Sequence, residues 1–186
     1  MSLVGGNKTQ SGRFNCLVTG GAGFIGHHLV KKLKEFSSLV IAFDNLSTGL
    51  RENIDYANPH EFIQGDFTDY DQVRKVFEDF KIDYVFHLGA LPRVQFSFQQ
   101  PLETHEANTT GMINVLVAAK QNYVNRFVYS SSSSVYGNQD SLPLKETMTP
   151  NPLSPYAAQK LLGEYYIKQF YEVFGLQTIG LRYFNV

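Results

Sequence analysis

The sequence predicts an α/β fold, a doubly wound parallel sheet with helices on both of its faces. Two observations predict it. Short apolar runs alternate with longer amphipathic stretches from residue 14 to residue 181, which is the rhythm of strands and helices in turn. The first apolar run also ends in a glycine-rich turn, TGGAGFIG, at the mouth of an amphipathic stretch. We therefore expect parallel strands joined by helices.

Length and composition limit the possible functions. The 186 residues are enough for one well-buried domain, which we place at residues 13–186, after a polar stretch at 1–12 that is typical of a disordered leader or an expression scar. A charged content of 18% and a net charge of -1 give no reason to expect a nucleic-acid partner. No apolar run approaches the roughly 18 residues of a membrane helix, and the start lacks a secretory signal, so we expect a cytoplasmic protein with no membrane partner.

The periodicity predicts six strands and four helices. The strands are expected at residues 14–18, 39–43, 61–64, 84–88, 126–130 and 177–181. The helices are expected at residues 24–36, 70–80, 101–122 and 154–174. The irregular stretch 137–153 holds three prolines, and loops of that length in a compact domain usually serve a site.

The glycine-rich turn indicates a dinucleotide site. Gly20 suits the tight turn, Gly23 lets the backbone approach a pyrophosphate, and Gly26 lets the helix pack on the sheet. The alternative is a glycine turn with a purely structural role. The next strand ends at Asp44, whose carboxylate can accept hydrogen bonds from both hydroxyls of an adenosine ribose and would repel a 2'-phosphate. This order of features favours NAD over NADP.

A tyrosine, a lysine and a run of serines are candidates for the chemistry. Tyr156 and Lys160 lie four apart, on one face of the last predicted helix. A phenol of reference pKa about 10 is a poor base at neutral pH, but an adjacent ammonium and a positively charged nicotinamide favour the phenolate. The alternative is a solvated helix face. The serines at 130–134 follow the fifth strand, at the sheet edge where ligands bind, which favours a pocket over a linker.

The histidines are not expected to bind a metal. His27 and His28 open the first helix without a third ligand nearby in the sequence, so we predict no metal site. His87 ends the fourth strand and is followed by Gly89 and Ala90, small residues that suit a backbone close to a cofactor. We interpret His87 as structural rather than catalytic.

Taken together, these motifs carry a family resemblance. The chain resembles the extended short-chain dehydrogenase/reductases, and among them the nucleotide-sugar epimerases, from about residue 14 to its end. The order and spacing of eight motifs carry the resemblance: TGGAGFIG, DNLSTG, GDF, HLGA, EANTTG, SSSSVYG, YAAQK and LRYFN. The resemblance implies a Rossmann-type domain that holds NAD, a nucleotide-sugar substrate, and a homodimer formed through the helices at 101–122 and 154–174.

The resemblance also implies roles for individual residues. The catalytic residues would be Ser132, Tyr156 as the base and Lys160 as its partner, and the substrate would contact Gln95, Ser97, Ser132, Ser133 and Asn185. Asp66 and Phe67 would lie beside the adenine. The full set expected at the cofactor is Gly20, Gly23, Phe24, Ile25, Gly26, Asp44, Asn45, Ser47, Thr48, Gly49, Asp66, Phe67, Leu88, Gly89, Ala90, Asn108, Ser130, Tyr156, Lys160 and Tyr183.

Residues 132–134 help to separate the reactions of this family. Related dehydratases carry Thr-Asp-Glu before the VYG motif, and related decarboxylases carry a glutamate there, whereas this chain has three serines. Without a carboxylate to drive elimination, the simplest reaction is 4-epimerisation of a UDP-hexose. A dehydratase, another reductase of the family and a non-catalytic NAD-binding regulator remain alternatives. The resemblance implies a further C-terminal substrate-binding domain that is not among these residues, so we expect weak or no activity from them alone.

Overall fold

The computed structural model describes residues 14–186, and six parallel strands form its single sheet. The expected leader at 1–12 lies outside the described residues. The strands are β1 Asn15–Thr19, β2 Leu39–Asp44, β3 Glu61–Gln64, β4 Tyr84–His87, β5 Arg126–Ser132 and β6 Thr178–Tyr183. Each pair of neighbours is parallel, in the order β3-β2-β1-β4-β5-β6. The predicted α/β fold is confirmed, and the order reverses between β1 and β4, which makes a topological switch point there.

Seven helices connect the strands within the described part of the chain. They are α1 Phe24–Leu33, α2 Arg51–Ala57, α3 Tyr70–Asp79, α4 Val94–Gln99, α5 Pro101–His105, α6 Met112–Gln121 and α7 Pro155–Phe174. A π-helical segment, Glu106–Gly111, joins α5 to α6, and a short 3-10 turn, Ser133–Tyr136, follows β5. The sequence did not predict α2 or α4, and it predicted one uninterrupted helix where α5, the π-helical segment and α6 follow one another.

Alternation along the strands places the core on both faces of the sheet. Leu17 and Ile41 pack under α3, α6 and α7, whereas their neighbours Val18 and Val40 pack under α1 and α2. Successive side chains of a strand point to opposite faces, so apolar runs such as LVIAF fill both layers. The fold therefore has three layers, with helices covering each face of the sheet.

Helix α7 begins and ends with strong local signals and lies unusually close to β5. The Ser154 hydroxyl accepts a hydrogen bond from the Ala157 N–H at 3.1 Å, and Gly175 ends the helix in the left-handed region. At Gly163 a Cβ would lie 2.4 Å from the Tyr129 hydroxyl oxygen. The glycine therefore allows the helix to pack directly on the ring of that buried tyrosine.

Candidate active site

A cleft of about 1130 Å³ opens at the carboxyl ends of the strands, at the switch point between β1 and β4. Its wall is formed by the turn after β1, the loops after β2, β3 and β4, the end of β5, the start of α7 and the end of β6. The structure brings most of the expected site residues together in this wall: Gly20, Gly23, Phe24, Ile25, Gly26, Asp44, Asn45, Ser47, Thr48, Asp66, Phe67, Leu88, Gly89, Ala90, Ser130, Ser132, Ser133, Tyr156, Lys160, Tyr183 and Asn185.

The first turn has the geometry of a phosphate-binding turn. Gly20 has a φ of +71°, and a Cβ on it would lie 2.6 Å from the Gly89 nitrogen. A Cβ on Gly26 would lie 2.0 Å from the Gly20 oxygen. Only glycine allows these approaches, which bring the start of α1 to the floor of the cleft. Gly23, the N-cap residue, places no side chain over the first amides of the helix, and such amides attract anions.

The Asp44 carboxylate is held in place at the end of β2. It is buried, and it accepts hydrogen bonds from the Ala22 N–H at 3.0 Å and the Leu46 N–H at 2.8 Å. One oxygen accepts each bond, so each keeps a lone pair for a further donor. This arrangement fits the two hydroxyls of a ribose. Together with the glycine turn, it makes the described residues fit a bound dinucleotide such as NAD.

Asp66 links the loops that follow β2 and β3. Its carboxylate accepts hydrogen bonds from the Asn45 amide at 2.9 Å and from the Thr68 N–H at 2.8 Å. Burial alone would raise the pKa of Asp66, but these hydrogen bonds outweigh it and lower the pKa below its ordinary value. The ring of Phe67 lies between Gly89 and Gly111, where a Cβ on either glycine would be 2.4 Å from it. Asp66 and Phe67 therefore form a fixed wall at this end of the cleft.

The catalytic candidates meet at the other end. Tyr156 and Lys160 are 9% and 4% exposed, and the Lys160 Nζ donates to the Ser130 carbonyl at 2.9 Å. Burial lowers the pKa of Lys160 to about 8. Burial also raises the pKa of Tyr156, although the Ser132 hydroxyl acts in the opposite direction. Loss of hydration, which neighbouring charges alone do not predict, is the largest cause of the pKa shift at both groups.

The hydrogen bonds around Ser132 leave its proton available. Its oxygen accepts from the Ser134 N–H at 3.1 Å and from the Ser134 hydroxyl at 2.9 Å. A hydroxyl oxygen has two lone pairs, so both are engaged and its own hydrogen is free to be donated. Ser132 can therefore donate to the oxygen of Tyr156 or to a substrate alcohol. Sequence reasoning did not single out Ser134, although it belongs to the same serine run.

Four expected site residues lie outside the wall of the cleft. Ser97 is fully buried, where its hydroxyl donates to the Val94 carbonyl at 2.6 Å and accepts from the Tyr156 N–H at 3.1 Å. Asn108 is also buried and bonds the Leu91 backbone. The other two are Gly49, which packs on Ala22, and Gln95, which is exposed on α4. Ser97 and Asn108 thus support the wall from behind.

The wall also contains residues that the sequence did not mark as a site. They come mainly from the loop after β4, from α4, α5 and the π-helical segment, and from the ends of the irregular stretch. The sequence placed only two of these segments near a site, the serine run and the irregular stretch 137–153, and it assigned no role to the residues listed from them. These residues are Thr68, Leu91, Pro92, Arg93, Val94, Phe98, Glu103, Glu106, Ala107, Ser131, Ser134, Gly137, Asn138, Leu153, Ser154, Ala157, Phe184 and Val186.

His87 has the environment of a structural residue. It is buried, its Nδ1 lies 2.8 Å from the Thr19 hydroxyl, and its ring stacks on Tyr129. Burial lowers the pKa of His87 to about 3, so it is neutral at physiological pH.

Within residues 14–186 no group of three or more metal-ligating side chains is found. The helices of that same range include none that is long and apolar enough to cross a membrane.

The fold, the glycine turn and the tyrosine–lysine pair define a short-chain dehydrogenase/reductase type of protein. Residues 16–186 match the NAD dependent epimerase/dehydratase family, and the chain belongs to that family. This confirms the resemblance seen in the sequence. It also confirms NAD as the cofactor.

Three of the similar proteins are UDP-sugar 4-epimerases by name, and each matches about nine-tenths of this chain. A UDP-glucose 4-epimerase of Lacticaseibacillus casei is 40% identical over 169 residues, which are 91% of this chain and 50% of the relative. A UDP-N-acetylglucosamine 4-epimerase from Methanobrevibacter ruminantium, solved with UDP-N-acetylmuramic acid, has a TM-score of 0.86 at 42% identity over 93% of this chain and 55% of its own. A Thermus thermophilus UDP-glucose 4-epimerase solved with NAD has a TM-score of 0.84 at 36% identity, over 91% and 54%. The chain spans about half the length of these relatives.

Removing the Asp44 carboxylate should weaken NAD binding. We expect Asp44→Ala to raise the Kd for NAD about 10-fold to 100-fold, the range for a hydrogen bond to a charged group, as measured by calorimetry. Asp55→Ala, on the exposed side of α2, is the matched control and should leave the Kd unchanged. Equal affinities for wild type and Asp44→Ala would remove Asp44 from the site.

Burial of Lys160 should destabilise the protein in a pH-dependent way. Its pKa is lower in the folded chain, about 8, than in the unfolded chain, near 10.5, so the unfolded state binds the proton more tightly. The contribution of Lys160 to the free energy of unfolding should therefore rise as pH increases from 8 to 10.5. Lys160→Met removes this contribution. The free energy of unfolding of the variant minus that of wild type should therefore fall by about 2 kcal/mol between pH 7 and 9.5.

Urea denaturation at the two pH values measures this change. Lys168→Met, at an exposed position of the same helix, is the control and should show no such change. A difference between Lys160→Met and wild type that stays constant with pH would contradict the prediction.

Proposed function

We propose that this chain carries the cofactor-binding and catalytic part of a nucleotide-sugar epimerase that inverts carbon 4 of a UDP-hexose. The observation that supports it most is the meeting of Ser132, Tyr156 and Lys160 in the same cleft as a turn and a carboxylate that fit NAD. Relatives at 36% to 42% identity are UDP-sugar 4-epimerases by name. The serines at 132–134 place no carboxylate for elimination at the end of β5.

The chain's own residues would move the proton and orient the sugar. Bound NAD would supply the hydride acceptor and donor for carbon 4. Tyr156 removes the proton of the 4-hydroxyl as that carbon is oxidised to a ketone, and it gives a proton back when the ketone is reduced on its other face. Ser132 donates a hydrogen bond to the sugar oxygen or to the phenol oxygen. Inversion follows because the ketone is planar and the sugar presents its opposite face before reduction.

Tyr156 needs help to act as a base. Because burial raises the pKa of Tyr156, the phenol alone would stay protonated at neutral pH. The Ser132 hydroxyl, whose hydrogen is available for donation, favours the phenolate by hydrogen bonding to it. Lys160 adds positive charge to the same wall while it is protonated, which holds below a pH of about 8. Ser132 and Lys160 therefore both oppose the rise that burial causes in the pKa of Tyr156.

We also propose that two copies associate through α7 and α5. The aromatic residues of α7 divide between two surfaces. Tyr166 and Phe170 pack on the core, whereas Tyr165 is 56% exposed. On α5, Leu102 is 85% exposed. Exposed apolar side chains on two adjoining helices are typical of an isologous interface.

Turnover tests the catalytic proposal. The chain should convert UDP-glucose to UDP-galactose with no added NAD, and slowly, because remote contacts to the substrate help to position the reacting carbon. Tyr156→Phe should lower the rate about 100-fold or more with no change in NAD affinity. Tyr165→Phe is the matched control. A product that has lost the elements of water would instead identify a dehydratase, and failure to bind NAD would refute the proposal.

Sedimentation tests the association. Wild type should sediment as a dimer at tens of micromolar, and Leu102→Ser combined with Tyr165→Ser should shift it to the monomer. Tyr123→Ser, at an exposed tyrosine beyond the end of α6, should have no effect. A wild-type monomer at high micromolar concentration would contradict the dimer.

A further inference from the structure

The carboxylate of Glu164, which is not among the residues that line the cleft, joins helix α7 to the strands β5 and β6. It lies on α7, one helical turn beyond Lys160. Its Oε1 accepts from the Ser131 hydroxyl at 2.5 Å and from the Arg182 Nε at 2.9 Å, and its Oε2 accepts from the Arg182 Nη2 at 2.7 Å. One side chain of the helix is therefore bonded to both β5 and β6.

The two partners of Glu164 are neighbours in the sheet. Ser131 pairs with Arg182 in the parallel register of β5 and β6, and the next pair is Ser132 with Tyr183. Ser132 and Tyr183 both line the cleft. The carboxylate thus fixes the strand positions that immediately precede two cleft residues, and it does so from the helix that carries Tyr156.

The ion pair of Glu164 with Arg182 differs from the six other ion pairs in the described part of the chain. Those six join residues three or four apart in sequence, with side chains about half exposed or more, where solvent screens them. Glu164 and Arg182 are 18 residues apart, and their side chains are both 17% exposed. The guanidinium also covers the buried ring of Tyr136 at 4.5 Å. The geometry is bidentate and shielded, which makes it rigid.

Successive residues of β5 connect to the same helix. The Tyr129 hydroxyl donates to the Lys160 carbonyl at 3.4 Å, the Ser130 carbonyl accepts from the Lys160 Nζ, and Ser131 donates to Glu164. Ser132 comes next, and its hydroxyl lowers the pKa of Tyr156 against the larger effect of burial. The contact of Ser131 with Glu164 is the last bond between β5 and α7 before Ser132, which lines the same cleft as the proposed base.

We propose that Glu164 is a positioning residue, whose bonds to Ser131 and Arg182 hold the Ser132 hydroxyl against Tyr156. It acts through Ser132 and contacts neither substrate nor cofactor. The kinetic part of this inference depends on the proposed epimerase function, whereas the geometric part does not. Loss of the contact should let the end of β5 move relative to α7, and a misplacement of about 1 Å can cost up to about 100-fold in rate.

Ser131→Ala is the sharpest test, because it removes one hydroxyl and keeps the ion pair. In protein labelled with ¹³C at the tyrosine Cζ, and with Tyr156→Phe for assignment, the Tyr156 resonance should shift, since it responds to hydrogen bonding at the phenol oxygen. The kcat should fall about 10-fold with KM unchanged. Glu164→Gln should shift the Tyr156 resonance and lower kcat in the same direction as Ser131→Ala but by more, because it also unpairs Arg182.

Thr178→Val is the matched control. The Thr178 hydroxyl donates to the Ile167 carbonyl at 3.0 Å, so it is also a bond between a strand and α7, but at the end of β6 away from the cleft. It should leave the Tyr156 resonance and kcat unchanged. If Ser131→Ala behaves like Thr178→Val, the contact is only a stabilising one and the proposal is wrong. If the product has lost the elements of water, the proposed function fails, and the resonance still decides the role of Glu164.

Discussion

Gly163 allows α7 to lie directly on the ring of Tyr129, and the site depends on this close packing. A side chain at that position would meet a tyrosine that is fully buried, so the helix would have to move away from β5. At the observed distance, Lys160 reaches the carbonyl of Ser130. Tyr156 then lies within reach of Ser132, at the carboxyl end of the same strand. The packing of α7 on the sheet therefore positions the catalytic candidates, together with the bonds that Ser134 makes to Ser132 and Ser97 makes to Tyr156.

The same packing works against the chemistry. Bringing an ammonium and a phenol into the interior favours their neutral forms, so burial lowers the pKa of Lys160 to about 8 and raises that of Tyr156. An enzyme that needs a phenolate must counter this with hydrogen bonds and charge. The Ser132 hydroxyl can donate a hydrogen bond, and Lys160 provides positive charge while it is protonated. Sites that hold ionisable groups in unfavourable surroundings commonly reduce stability while they make function possible.

Much of the fold was predictable because its signals are local. The six strands follow from apolar runs, and Gly20 and Asp44 follow from a turn and a strand end that are contiguous in sequence. The features that were missed depend on tertiary contacts. Helix α4 has only six residues and is bonded to α7 through Ser97. The π-helical segment lies where Asn108 bonds the Leu91 backbone, which no periodicity reveals. The desolvation of Tyr156 likewise depends on neighbours that are distant in sequence.

The serine run shows why residue type alone could not assign the site. Five consecutive serines look equivalent in a sequence, yet the strand and the turn after it give them different partners. Ser130 offers its carbonyl to Lys160, Ser131 donates to Glu164, and Ser134 donates to Ser132. Because alternate side chains of a strand face opposite sides, Ser131 is directed to the helix while Ser132 is left for the cleft. A low-complexity stretch becomes a set of distinct functional groups once the backbone fixes which way each hydroxyl points.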